Sequence, residues 1–257
     1  MGALTAEVRS IKADSRSQQR LLDLQAVDSA LAQLHHRRRT LPEHAELARL
    51  RAAQQSSASD LVAADTAVSD LELEQAKAES DLEPVRERLT RNQRRIADGS
   101  VPDAKALASM VAEVDHLRKR IGDLEDAELE VMEQLESAVA ARDRLRARAV
   151  ELENSLARTT ARRDEQLASL DAEIAQRRAE RGEIAPEIDP PLLGLYDKVA
   201  ASHGGVGAAE LRTRRCTGCQ LEVNAADLGR FAAAADAEVL RCEECSRILV
   251  RTPQSGL

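Results

Sequence analysis

The 257-residue sequence predicts a mainly α protein: a long antiparallel coiled-coil helical hairpin followed by a small, β-rich C-terminal zinc ribbon. Three observations carry that expectation. Apolar residues recur at alternating steps of three and four over two long stretches, the pattern of a left-handed coiled coil. A cluster of turn formers, Asp98-Gly99-Ser100-Val101-Pro102-Asp103, separates the two stretches. Cys216, Cys219, Cys242 and Cys245 form two Cys-x2-Cys pairs with 22 residues between them.

Composition agrees with long helices rather than one rounded core. One Tyr, one Phe and no Trp remove the side chains that bury most area, while 32% of residues are charged. The net charge of −8 argues against a simple basic nucleic-acid binder. No apolar run approaches the roughly 20 residues that span a bilayer, and the N-terminal segment has no signal-peptide core. A cytoplasmic, reducing setting is expected, in which paired cysteines hold metal rather than form disulfides.

Along the chain, residues 1–17 are expected to be frayed, and residues 18–185 to form the hairpin. Leu21, Leu24, Leu31 and Leu34 start the helical pattern. At Thr40-Leu41-Pro42-Glu43 a fresh helix start is expected, with Thr40 as N-cap, Pro42 in the first turn and Glu43 closing a capping box. The first seam runs from Leu47 to Ile96, and eleven of its fifteen positions are apolar. Pro84 falls inside it and predicts a kink. After the turn near 98–103 the second seam runs from Leu107 to Leu156 with only Glu128 and Arg142 polar, and a weaker continuation passes through Leu167, Leu170 and Ile174 to a helix end near Gly182. Two matched arms and a short turn favour an intramolecular hairpin over a parallel intermolecular dimer; the oligomeric state itself stays open.

Residues 186–206 read as a proline-punctuated linker with a short helix from Leu192 to Ser202, and residues 207–257 as the four-cysteine domain. There Asn224 is expected to cap a helix and Phe231 to pack the ribbon core. Four thiolates from two tight knuckles satisfy tetrahedral Zn2+ and leave no position for water or substrate, so the ion should be structural. Iron in a rubredoxin-like site is the rival, and it usually brings aromatics that are scarce here. A domain of about 50 residues with one aromatic needs such a staple to fold. Arg212, Arg214, Arg215, Arg241, Arg247 and Arg251 crowd the knuckles in sequence. They can form a surface for a partner or for nucleic acid, or they can balance the charge of the tetrathiolate. No histidine spacing, phosphate loop or nucleophile motif suggests catalysis.

The segments VPDAKALASMVAEVDHLRKRIGDLEDAELEVMEQLE, CTGCQLEVNAADL and RCEECSRILV resemble the bacterial C4-type zinc-ribbon, coiled-coil hairpin family, in its actinobacterial branch. The resemblance covers nearly the whole chain beyond its first residues. It implies one Zn2+ held by Cys216, Cys219, Cys242 and Cys245. Relatives in that family include a flagellar chaperone that also contacts RNA and a chlamydial type III secretion-associated protein, which implies a binding adaptor without naming its client.

The resulting expectation is a non-enzymatic, zinc-binding adaptor or chaperone with a protein partner and no membrane contact. The leucines from Leu21 to Leu34 and from Leu167 to Ile174 are expected to form exposed seams for that partner. The alternative is a nucleic-acid-binding regulator, for RNA or DNA, acting through the ribbon arginines.

Overall fold

The structure, a computed structural model, describes residues 11–257. Its helices are α1 (Ser15–Arg39), α2 (Pro42–Ala97), α3 (Ala104–Ile184), α4 (Pro190–Ser202) and α5 (Ala225–Ala233). Its strands are β1 (Ala208–Arg212), β2 (Arg215–Cys216), β3 (Leu240–Arg241) and β4 (Ile248–Val250). The chain divides into two compact units. One takes in the chain up to His44 together with Arg162–Leu257, and the other is Ala45–Ala161.

Ala45–Ala161 is a helical hairpin built within one chain. Arg86 reaches Glu125 at 2.6 Å and Arg146 reaches Asp65 at 2.9 Å, so α2 and α3 run antiparallel side by side. Seam residues Leu47, Val68, Leu82, Val114 and Leu117 are buried, as the 3.5-residue repeat requires. The polar seam positions Ser57 and Asn92 are buried with them. The connecting turn follows from its residues. Gly99 adopts φ +64° after the last turn of α2, a left-handed conformation that glycine takes without a Cβ clash. Asp103 then accepts the Ala106 N–H at 2.7 Å and starts α3. Helix α2 continues through Pro84.

The other unit corrects several expectations. The frayed segment expected over 1–17 lies partly outside the described residues, and the described part is ordered. Asp14 caps α1 by accepting the Ser17 N–H at 2.8 Å, so the helix begins at Ser15 rather than Gln18. Thr40 does not cap α2. Its hydroxyl donates back to His36 O at 2.9 Å and its N–H closes the end of α1, while Glu43 accepts from Gln166 instead of completing a capping box.

The leucine seams expected to be free are also occupied. Leu34 and Leu41 close on Leu170 and Ile174, with Leu31 and Leu167 against them, and Arg38 meets Asp171 at 2.8 Å. Leu21 and Leu24 are fully buried against Ile188, Leu192, Tyr196, Ile248 and Val250. Hydrophobic side chains at helical spacing found partners within the same chain, which is the cheapest way to remove them from water.

Segment 186–206, expected as a linker, carries its helix but is packed rather than extended. Leu192, Tyr196 and Val199 of α4 are buried. The Tyr196 hydroxyl donates to Asp28 at 2.8 Å, and Arg181 donates to the other oxygen of that carboxylate at 2.8 Å. One half-buried carboxylate thus ties α1, α3 and α4 together, and its partners satisfy it.

Candidate metal centre

The strand order of the ribbon is β2-β1-β4-β3, with β1 and β4 parallel and the two outer pairs antiparallel. Successive side chains of a strand point to opposite faces. Ala208, Ile248 and Val250 therefore face α1 and α4, while Ala209, Leu211 and Leu249 face Phe231, Leu228 and the cysteines. As expected, Asn224 caps α5 by accepting the Asp227 N–H at 2.9 Å, and Phe231 is buried.

The two knuckles repeat one backbone geometry. Cys216 O accepts the Gln220 N–H at 2.8 Å, and Cys216 N–H donates to Leu221 O at 3.0 Å. In the second knuckle, Cys242 O accepts the Ser246 N–H at 2.8 Å and Cys242 N–H donates to Arg247 O at 3.0 Å. The residue four places after the first cysteine is left-handed in both, with φ +65° at Gln220 and +58° at Ser246. That turn aims both thiols of a pair to one side. At Gly218 a Cβ would sit 2.7 Å from Arg247 Cδ and 3.1 Å from Ala209 Cβ, so any larger residue would have to displace the Arg247 side chain.

The four Sγ atoms come together within 4.8 Å of one another. Cys216 and Cys245 are 3.9 Å apart, as are Cys219 and Cys242. These are free thiols, far beyond a disulfide bond length. Tetrahedral Zn2+ with bonds of about 2.3 Å separates its sulfurs by about 3.8 Å, close to the two 3.9 Å separations, so the donor set suits one zinc ion. Bound there, the ion cross-links the two knuckles and holds their thiolates. Among the described residues no other group of His, Cys, Asp and Glu side chains gathers as a metal site.

Burial pushes the Cys216 thiol up and the Cys242 thiol up to about 12. Burial also raises Cys245, but hydrogen bonds from the Arg247 backbone and side chain and from neighbouring cysteines outweigh it and bring the thiol down to about 7. Zinc therefore has to displace protons from the buried pair, which couples metal loading to pH.

The six arginines singled out by sequence divide by what they hold. Arg241 donates to Ser246 O within the second knuckle. Arg247 donates to Val206 O and His203 O, and Arg251 to Phe231 O, Ala234 O and Ala235 O at the end of α5. Those three bind carbonyl oxygens of their own unit. Arg212 pairs with Glu210 at 2.6 Å. Arg214 and Arg215 are exposed and make no side-chain hydrogen bond or ion pair among the described residues.

Sequence reading missed what seats the ribbon. Gln25 of α1 is buried and fully satisfied: Oε1 accepts Gly207 N–H at 2.7 Å and Ala208 N–H at 3.2 Å, while Nε2 donates to Ser29 Oγ and Gly205 O. Lys12 and Glu238 form an isolated antiparallel β-bridge, and Ala13 N–H donates to Ala237 O, which fastens the segment before α1 to the one that leads into β3. One signal was available. Ile248-Leu249-Val250 is an unbroken apolar run, the mark of a strand buried on both faces.

Two family models match the chain. A CT398-like coiled coil hairpin domain covers residues 24–204, and a C4-type zinc ribbon domain covers residues 215–249. An uncharacterized protein of Mycobacterium tuberculosis is 35% identical over 241 residues, 94% of this chain and 98% of that protein. A solved structure from Mycobacterium smegmatis is 36% identical with a TM-score of 0.79, covering 94% of this chain and 100% of that one. CT398 from Chlamydia trachomatis, at 18% identity and a TM-score of 0.64, shares the fold over 92% of this chain and 98% of its own. No helix among the described residues is long and apolar enough to cross a membrane.

Proposed function

The chain belongs to the family of CT398-like coiled-coil hairpins that end in a C4-type zinc ribbon, and on that premise we propose that it is a non-enzymatic adaptor or chaperone that binds protein partners. The observation that carries this reading is the contrast between its two kinds of surface. The thiols are committed to a closed four-sulfur site, whereas the hairpin leaves large apolar side chains such as Leu73, Leu129 and Val150 more than half exposed. A closed tetrathiolate offers no open position for substrate, and solvent-exposed apolar side chains along a helix are what a partner helix or strand covers.

The test is a crosslinking pulldown on the full zinc-loaded chain, with and without nuclease. Protein partners that survive nuclease support the adaptor. Recovery that disappears with nuclease would overturn it.

A nucleic-acid reading keeps one favourable observation, the exposed and unpaired Arg214 and Arg215. Three of the other ribbon arginines are engaged with backbone carbonyls, and the one Tyr and one Phe, Tyr196 and Phe231, are buried and unable to stack on bases. Under this reading, affinity falls steeply with salt and is lost in Arg214→Ala/Arg215→Ala. Undetectable binding at low ionic strength rules it out.

A further inference from the structure

Charge is not spread evenly over the hairpin. Residues 70–85 of α2 and 121–136 of α3 carry six and seven acidic side chains respectively, thirteen in all, against one cation, Lys77. The ion pairs Arg86–Glu125 and Asp65–Arg146 bracket these segments and show that they lie side by side. The band is flanked on one side by Arg86, Arg88 and Arg91 with Arg118 and Arg120, and on the other by Arg142, Arg144, Arg146 and Arg148. A net charge of −12 in the band (thirteen acids less one lysine) exceeds the −8 of the entire chain.

That charge is largely uncompensated. Of the thirteen carboxylates only Glu125 forms an ion pair among the described residues. Crowding like charges in this way works against the compact state, because each carboxylate raises the potential felt by the next. Exposed helical surfaces ordinarily interleave signs to avoid that cost.

An apolar groove opens within the same band. It has a volume of about 340 Å³ and is lined by Gln75 of α2 and by Leu129, Met132, Glu133, Leu135 and Glu136 of α3. Leu129 is 57% and Met132 44% exposed. Neither belongs to the seam, which passes through Glu128, Val131 and Leu135, so the hairpin does not need them for its own closure. Spaced three residues apart, they share one helix face. With Val111 and Val150 they fall within a sector of about 60° at 3.6 residues per turn, forming a single stripe along α3.

We propose that this acidic, apolar-centred band is the docking site for a cationic amphipathic helix of a partner protein. The partner's apolar residues at i and i+3 or i+4 would seat on Leu129, Met132 and Leu135, and its flanking Lys and Arg would meet Glu133, Glu136 and the unpaired carboxylates around them. A band of sixteen residues per arm accepts a helix of comparable length, about 24 Å. Charge complementarity selects the occupant: the same field that attracts a basic helix repels nucleic acid. This rests on the adaptor reading and specifies where, and by what chemistry, the adaptor holds its partner.

The experiment uses fluorescence polarisation on the full zinc-loaded chain with three labelled synthetic peptides. The first is a sixteen-residue Leu/Lys/Arg helix with one apolar face, the second the same residues scrambled so that the face is lost, and the third the first with Glu replacing every cation. The first should bind at least tenfold tighter than the second, and the third should not bind. Leu129→Gln/Met132→Gln should abolish the tenfold preference, while Glu133→Gln/Glu136→Gln should weaken binding of both cationic peptides and flatten its salt dependence. Val62→Gln, an exposed apolar residue of α2 outside the band, should change neither, and helicity by circular dichroism should be the same in all variants. Equal binding of the first two peptides, or an unchanged preference in Leu129→Gln/Met132→Gln, overturns the proposal. So does salt-sensitive self-association in sedimentation velocity that the same substitutions remove, because the occupant is then a second copy. If the nuclease-resistant pulldown still recovers partners with the band variants, the adaptor reading survives and only this site fails.

Discussion

Replacing Gln25 with Leu tests how the ribbon is held to the helices. The side chain is 8% exposed and its Oε1 is the acceptor for two backbone donors, Gly207 N–H at 2.7 Å and Ala208 N–H at 3.2 Å. Leucine has similar volume, so the packing change is small and the loss is electrostatic. A buried donor left without a partner costs about 1–3 kcal/mol, and the longer of these two bonds belongs at the low end, giving a total of about 2–4 kcal/mol. At about 1.4 kcal/mol per factor of ten, protection of the β1 amides against hydrogen exchange should fall roughly 30- to 1,000-fold. Exchange measured residue by residue on the zinc-loaded protein reads this directly. Amides in 45–161 should be unaffected, since that hairpin is a separate compact unit. A loss of protection below about fivefold at β1 would show that Gln25 does not carry the ribbon's seat, and the reasoning would fail.

Three further predictions follow from close contacts and backbone geometry. Gly207→Ala places a Cβ 2.7 Å from both Tyr196 Cδ2 and Tyr196 O, and because a backbone atom cannot swing aside it should cost about 1–3 kcal/mol in urea unfolding; a neutral result would mean α4 is free to shift. Ser246→Gly relieves a left-handed non-glycine residue and should stabilise the zinc-loaded ribbon by about 0.5–1 kcal/mol, whereas destabilisation would show that the turn is not strained. The Asp14 carboxyl is held below the usual carboxylate range by the Ser17 N–H and hydroxyl. A lowered native value means the cap's contribution is complete above the ordinary aspartate range and is lost as pH falls through the lowered value. Asp14→Asn, which still caps, should remove that acid sensitivity from the exchange of the first turn of α1, and an unchanged pH profile would locate it elsewhere.

What the sequence disclosed was local chemistry. Gly99 and Asp103 mark the turn, Asn224 caps α5, and each Cys-x2-Cys spacing builds its own knuckle, because each depends on neighbours a few residues away. The seam of α2 and α3 was readable for the same reason: a period is a local property even when the partner is distant. What escaped was the choice among competing partners. Thr40 can cap the helix after it or close the one before it, and its side chain chose His36 O. Leu21 and Leu24 read as a free stripe because nothing nearby shows that α4 and β4 return to cover them. The arginines looked alike in sequence, yet Arg251 fastens the end of α5 while Arg214 faces solvent, a difference set by contacts across 16 to 20 positions.

One zinc ion holds the ribbon, and through it the packing of α1 and α4, while the 45–161 hairpin stands independently of the metal. Hydrogen exchange on the protein before and after zinc chelation, with zinc content measured in parallel, tests this most directly. The expected result is one zinc per chain, loss of protection in 208–250 on its removal, a smaller loss in α4 and the first turns of α1, and unchanged protection in 45–161. Full retention of protection in 208–250 without zinc, or a collapse that spreads through 45–161, would contradict it.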